Sequence, residues 1–79
     1  MIVAGNWKMN KTAAEASQLL AEMLPGLQAV KGVDKLVCPP FTALAPAAEL
    51  LKGTGVSLGA QNIYWEEKGA FTAEISPLM

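Results

Sequence analysis

Seventy-nine residues hold at most one small domain, of a size that buries little surface for its stability. Apolar residues make up 52% and charged ones only 16%, against a usual ~25%, which fits a segment of a larger fold better than a free-standing globule. Six lysines, no arginine and seven carboxylates leave a net charge of −1, which excludes the basic footprint of a nucleic-acid binder.

The apolar run from Met1 to Ala4 opens a buried parallel strand, predicted over Ile2 to Trp7. Thr12 then offers an N-cap hydroxyl with Glu15 three residues on, the capping-box pattern of a helix start. Ala16, Leu19, Leu20, Met23, Leu24 and Leu27 follow at helical spacing, with Ser17, Gln18 and Glu22 on the other face. Pro25 and Gly26 are expected to end this helix or fray its last turn. After a turn around Gly32 and Asp34, a second strand runs from Lys35 to Cys38. It stops at Pro39-Pro40, because proline cannot donate to a sheet. A second helix is predicted from about Ala43 to Lys52, with Leu44, Ala47, Ala48 and Leu51 as its apolar face. Pro46 is tolerated there if it falls in the first turn. A third strand, Val56 to Gln61, precedes a long mixed connection from Asn62 to Glu74. Ser76-Pro77 reads as the N-cap and first position of a further helix, and nothing about the end at Met79 resembles a finished domain.

This order implies an α/β fold with parallel strands joined by right-handed crossovers. Three such strands leave two sheet edges and one sheet face bare. A closed (β/α)8 barrel needs roughly 250 residues, so the chain is expected to be an incomplete segment of one. Residues 1–79 would then supply strands 1–3, helices 1–2 and the connection 62–74 of a single barrel domain.

The chemistry concentrates in Gly5-Asn6-Trp7-Lys8-Met9-Asn10. With a period of 2, positions 6 and 8 share one face at the C-terminal end of a strand. In parallel α/β architectures that end is where ligands bind. A primary ammonium beside an amide donor suits an anionic substrate or a developing oxyanion. Taken alone, Lys8 reads more readily as a solvated strand-end lysine than as a ligand-binding one. The other reactive groups offer less. Cys38 lies in an apolar run and reads as a buried, inert thiol, and with no second cysteine and no histidine there is no metal site. No apolar stretch is long enough to span a bilayer, and Lys8, Asn10, Lys11 and Thr12 interrupt any secretory signal. The expected compartment is the cytoplasm.

The ordered set Ala4-Gly5-Asn6-Trp7-Lys8-Met9-Asn10, Cys38-Pro39-Pro40, Gly59-Ala60-Gln61-Asn62 and Gly69-Ala70-Phe71-Thr72-Ala73-Glu74-Ile75-Ser76-Pro77 resembles the triosephosphate isomerase family. The likeness covers the whole chain but only the first third of such an enzyme. It implies a TIM barrel, a cofactor-free interconversion of dihydroxyacetone phosphate and glyceraldehyde 3-phosphate in glycolysis and gluconeogenesis, and a homodimer or tetramer. It further implies that Lys8, as catalytic and substrate-binding residue, faces the phosphate and the enediolate charge. Asn6 would orient the substrate, and Trp7 would pack behind the barrel wall. Thr72 would reach a partner subunit's active site from the protruding loop, with Gln61 and Asn62 bracing that loop at the interface. A glycine commonly follows this threonine, where Ala73 stands here; alanine at a positive φ would cost about 1 kcal/mol.

The family's glutamate base and histidine electrophile lie beyond Met79, and this chain has no histidine. Alone it is expected to isomerise nothing. The remaining C-terminal barrel segment is then a required partner. Two other roles stay open: a non-catalytic subunit-contact or complementing fragment, and a stand-alone anion-binding module using Lys8. Intact mass under denaturing and native conditions separates the three.

Overall fold

The structure, a computed structural model, describes residues 1–79. Three parallel strands form one sheet in the order β1-β2-β3: β1 Ile2–Asn6, β2 Asp34–Cys38 and β3 Val56–Leu58. Ile2 lies opposite Asp34 and Asn6 opposite Cys38; Lys35 lies opposite Val56 and Val37 opposite Leu58. Helix α1, Ala13–Ala29, links the first two strands. A 3-10 turn, Phe41–Ala43, and helix α2, Leu44–Leu51, link the second pair. The α/β order and parallel sense match the expectation, as an open sheet rather than a closed barrel.

Helix α1 begins as its sequence demands. The Glu15 N–H donates to Thr12 Oγ1 at 3.3 Å, and Glu15 Oε1 accepts the Thr12 N–H at 2.9 Å. Bonds from the Thr12 backbone and hydroxyl, helped by nearby Lys11, hold the exposed Glu15 carboxyl below its usual range. The helix does not stop at Pro25; it continues to Ala29. Pro25 and Ala21 are both exposed, so the Ala21 carbonyl that the proline leaves unpaired meets water. Past that point, the Lys35 ammonium on β2 donates to the Leu27 carbonyl and, at 2.6 Å, to the Val30 carbonyl. The Leu27 carbonyl also takes the Val30 N–H at 3.3 Å, and a cation at this end opposes the negative end of the helix dipole. Pro46 falls in the first turn of α2, where no intrahelical donor is lost.

The core lies between the helices and one sheet face. Leu20 of α1, Ala47 and Leu51 of α2, Val37 of β2 and Val56 of β3 form its buried cluster. Trp7, Leu24, Leu27, Leu50 and Leu58 pack around it half-buried. Ala16 and Ala43 are also buried, small residues that let α1 approach the 3-10 turn. Ala48, expected on the apolar face of α2, is exposed. No helix is long and apolar enough to cross a membrane.

Two expectations for the strands are corrected. β1 is exposed along its whole length rather than buried, because it is an edge strand whose second face meets nothing. β3 is three residues, not six, since its last residue pairs with Val37 and β2 ends one residue later, at Cys38; only the Gly59 N–H, bonded to the Val37 carbonyl at 2.9 Å, extends the ladder. At the far end, Ser76 Oγ accepts the Leu78 N–H at 3.0 Å, the bond of an N-cap, and a single turn forms.

Ile2 is 68% exposed and Val3 56%, on an open edge with unpaired backbone groups. Such an edge templates association. The isolated chain is expected to be oligomeric or molten and to bind an apolar dye. A monomer by sedimentation, with sharp near-UV circular dichroism and a cooperative melt, would contradict this.

Candidate functional site

β1 ends at Asn6, and Lys8 has a left-handed backbone with φ 57°. The chain leaves the extended conformation between them, so strand period is not what relates the two residues. A local turn does it: Asn6 Oδ1 accepts the Lys8 N–H at 2.8 Å. Short amide side chains favour such bonds to nearby backbone. Asn10 Nδ2 likewise donates to the Trp7 carbonyl at 2.8 Å. Lys11, also left-handed at φ 77°, then leads into the Thr12 cap.

A non-glycine residue in this region costs about 1–3 kcal/mol and persists only where its surroundings fix it. Both peptide groups of Lys8 are fixed. Its N–H is held by Asn6, and its carbonyl accepts from Gln61 Nε2 at 2.9 Å. The same Gln61 nitrogen donates to the Cys38 carbonyl at 2.8 Å, which also takes the Trp7 N–H at 3.1 Å. The exits of β1 and β2 thus meet on one side chain that follows β3.

The Lys8 side chain is exposed, and its ammonium has no hydrogen-bond or ion-pair partner; the chain's one ion pair joins Lys52 to Glu49 at 2.9 Å. With Asn6 Oδ1 committed to backbone, the Asn6 NH2 group is left as an unengaged donor at the same strand end. Asn6 lies opposite Cys38, and alternation places both on the sheet face away from the helices. Trp7 takes the helix side and packs on the core, as expected. Cys38 is half-buried rather than buried, because it sits on the bare face. A Cβ on Gly59 would stand 3.0 Å from its Sγ, so glycine leaves the thiol its space. Chemically, the β1 exit can receive an anion and donate to an oxygen beside it.

Beyond Gly59 the chain forms no further helix or strand. The connection from Asn62 to Glu74 nevertheless has internal order. The Tyr64 N–H donates to the Ile75 carbonyl at 2.8 Å across its base. The Tyr64 ring stacks on Trp65 with centroids 4.1 Å apart and tilts against Phe71 at 4.7 Å. A Cβ at Gly69 would stand 2.6 Å from the Phe71 ring, so glycine lets the ring lie against the backbone there. Gln61 ties the start of the loop to the strand exits by two side-chain bonds, whereas Asn62, expected to brace it too, makes no side-chain bond. Backbone closure and the aromatic cluster hold the rest of the loop. Thr72 is exposed, and Ala73 is left-handed at φ 67°, the conformation for which a glycine is suited. Sequence reasoning missed the reach of Gln61 to Lys8, 53 positions away, and its one signal was an amide directly after the third strand.

The sequence profile of triosephosphate isomerase matches residues 1–79, all of the chain. The chain belongs to the triosephosphate isomerase family. A triosephosphate isomerase of Dehalococcoides mccartyi strain 195 is 54% identical over 79 residues, covering 100% of this chain and 32% of the relative. The Carboxydothermus hydrogenoformans enzyme is 53% identical over 77 residues, 98% of this chain and 31% of the relative. That of Caldanaerobacter subterraneus subsp. tengcongensis is 53% identical over 78 residues, with 99% and 31% covered. The chain spans about a third of the length of the curated relatives it matches.

The left-handed Ala73 yields a measurable cost. With residues 1–79 followed by the remaining two thirds of the Dehalococcoides mccartyi isomerase, Ala73→Gly should stabilise the full-length protein by about 1 kcal/mol. Urea unfolding of the two proteins checks this; an unchanged or lowered midpoint would mean that residue 73 carries no strain.

Proposed function

We propose that these 79 residues form the first three strands, first two helices and protruding loop of one triosephosphate isomerase barrel domain. Within it they bind triose phosphate through Asn6 and Lys8 during the interconversion of dihydroxyacetone phosphate and glyceraldehyde 3-phosphate. The observation that carries this reading is the unpaired Lys8 ammonium on a left-handed residue fixed at both peptide groups, at the C-terminal end of parallel strands. Strained non-glycine backbone clusters where function requires a particular direction of a side chain. A compact ammonium offsets the charge of a phosphate and of an enediolate, and the free Asn6 NH2 can donate to the oxygen on which that charge develops. The proton transfers themselves need a base and an electrophile from the other two thirds of the barrel. This chain has no histidine and is inactive by itself. The same reading places the protein in glycolysis and gluconeogenesis, in the cytoplasm, with no cofactor.

The test uses the full-length graft onto the Dehalococcoides mccartyi isomerase. Lys8→Met keeps the bulk of the side chain and removes its charge, and kcat/KM should fall at least about a hundredfold. Lys8→Arg should also be poor, since a planar fork does not replace a compact ammonium. A Lys8→Met protein within about threefold of the parent would remove Lys8 from the active site.

A second role attaches to the loop. Its internal closure presents Trp65, 78% exposed, and Phe71, 49% exposed, beside Thr72, an apolar surface suited to assembly. We propose that this loop, with Gln61 and Asn62 at its start, forms the contact of a homo-oligomer. Thr72→Arg would then bury an unpaired charge, weaken assembly and make activity fall on dilution. For a free surface loop the same change would leave sedimentation and activity unaltered across the dilution series.

A further inference from the structure

Gln61 uses the two protons of one amide nitrogen on two backbone carbonyls, those of Lys8 at 2.9 Å and Cys38 at 2.8 Å. Both partners are acceptors, so the NH2 end of the amide must face them. The Cys38 carbonyl is anchored in turn to the β1 exit through the Trp7 N–H at 3.1 Å. The Lys8 carbonyl is therefore held against the rigid end of the central strand, and the Lys8 N–H is held by Asn6 at 2.8 Å. Asparagine is one methylene too short to stand in the same place, and glutamate offers only acceptors when ionised.

We infer that Gln61 is a positioning residue for Lys8: it clamps the left-handed Lys8 backbone and so sets the direction in which the ammonium leaves the sheet. The inference rests on the reading above that Lys8 serves an anion-binding site. It assigns Gln61 a task within its own subunit, distinct from any contact with a second copy. A left-handed residue freed of one of its two bonds relaxes toward ordinary backbone. The direction of its Cβ turns with it, and small misplacements of a catalytic group cost large factors in rate.

A double-mutant cycle in the full-length graft tests this. Gln61→Met keeps side-chain length and removes both donors; kcat/KM should fall about ten- to a hundredfold in the parent background. In the Lys8→Met background the same substitution should cost less than about threefold, because Gln61 acts through a side chain already removed. A purely structural tie predicts equal losses in both backgrounds, and that result overturns the positioning role. So does a Gln61→Met protein with parental kcat/KM. Should Gln61→Met lack a cooperative melt, Gln61→Glu, which keeps size and polarity but sets a carboxylate against the two carbonyls, takes its place in the cycle. Loss of folding in both variants would make Gln61 a structural tie and overturn the inference. A Lys8→Met protein with parental activity overturns the anion-site reading itself. Loss in Lys8→Met with additive loss in Gln61→Met overturns the positioning role alone.

Discussion

The packing of two helices on one face of the sheet organises the whole chain. Leu20 on α1 meets Ala47 and Leu51 on α2 over Val37 and Val56 of the strands. Full burial of a leucine contributes about 2 kcal/mol, and Leu20 is wholly buried. Both crossovers lie on the same side of the sheet, so the three strands point one way and their C-terminal ends come together. The Asn6–Lys8 turn and Gln61 lie at those ends. Lys35 adds a polar tie to the same arrangement, joining β2 to the carbonyl end of α1.

At the strand exits the backbone departs from regular structure, and side-chain amides take over its hydrogen bonding. Asn6 receives the Lys8 N–H, Asn10 bonds the Trp7 carbonyl, and Gln61 bonds the carbonyls of Lys8 and Cys38. Amides suit this place because they supply donors and acceptors without charge. Lys8, whose backbone these amides hold, has no side-chain partner, and its ammonium is free to meet a ligand.

The apolar surface that remains bare has a simple origin. A parallel sheet is ordinarily covered on both faces and neighboured at both edges. Here one face is covered, and β1 and β3 each have one neighbour. The relatives are about three times as long as this chain. The 52% apolar composition is high for 79 residues and fits the bare apolar surface of this open sheet.

Much of this was legible in the residues. Thr12 and Glu15 named the start of α1 because a capping box is local chemistry. The alternation of strand and helix patterns determined the parallel α/β order, and Asn6 and Lys8 stood out as polar groups at a strand exit. The end of α1 was not legible: Pro25 marks a stop, yet solvent at Ala21 and the lysine of the next strand allow the helix to run on. Nor could sequence show that β1 lies exposed, since its apolar residues say what it prefers to bury and not what is present to cover it. The left-handed turn at Lys8 and its tie to Gln61 were decided by tertiary structure alone. Spacing along a strand describes neighbours in sequence, whereas that bond depends on three strand ends being brought together by the packing of helices on the sheet's other face.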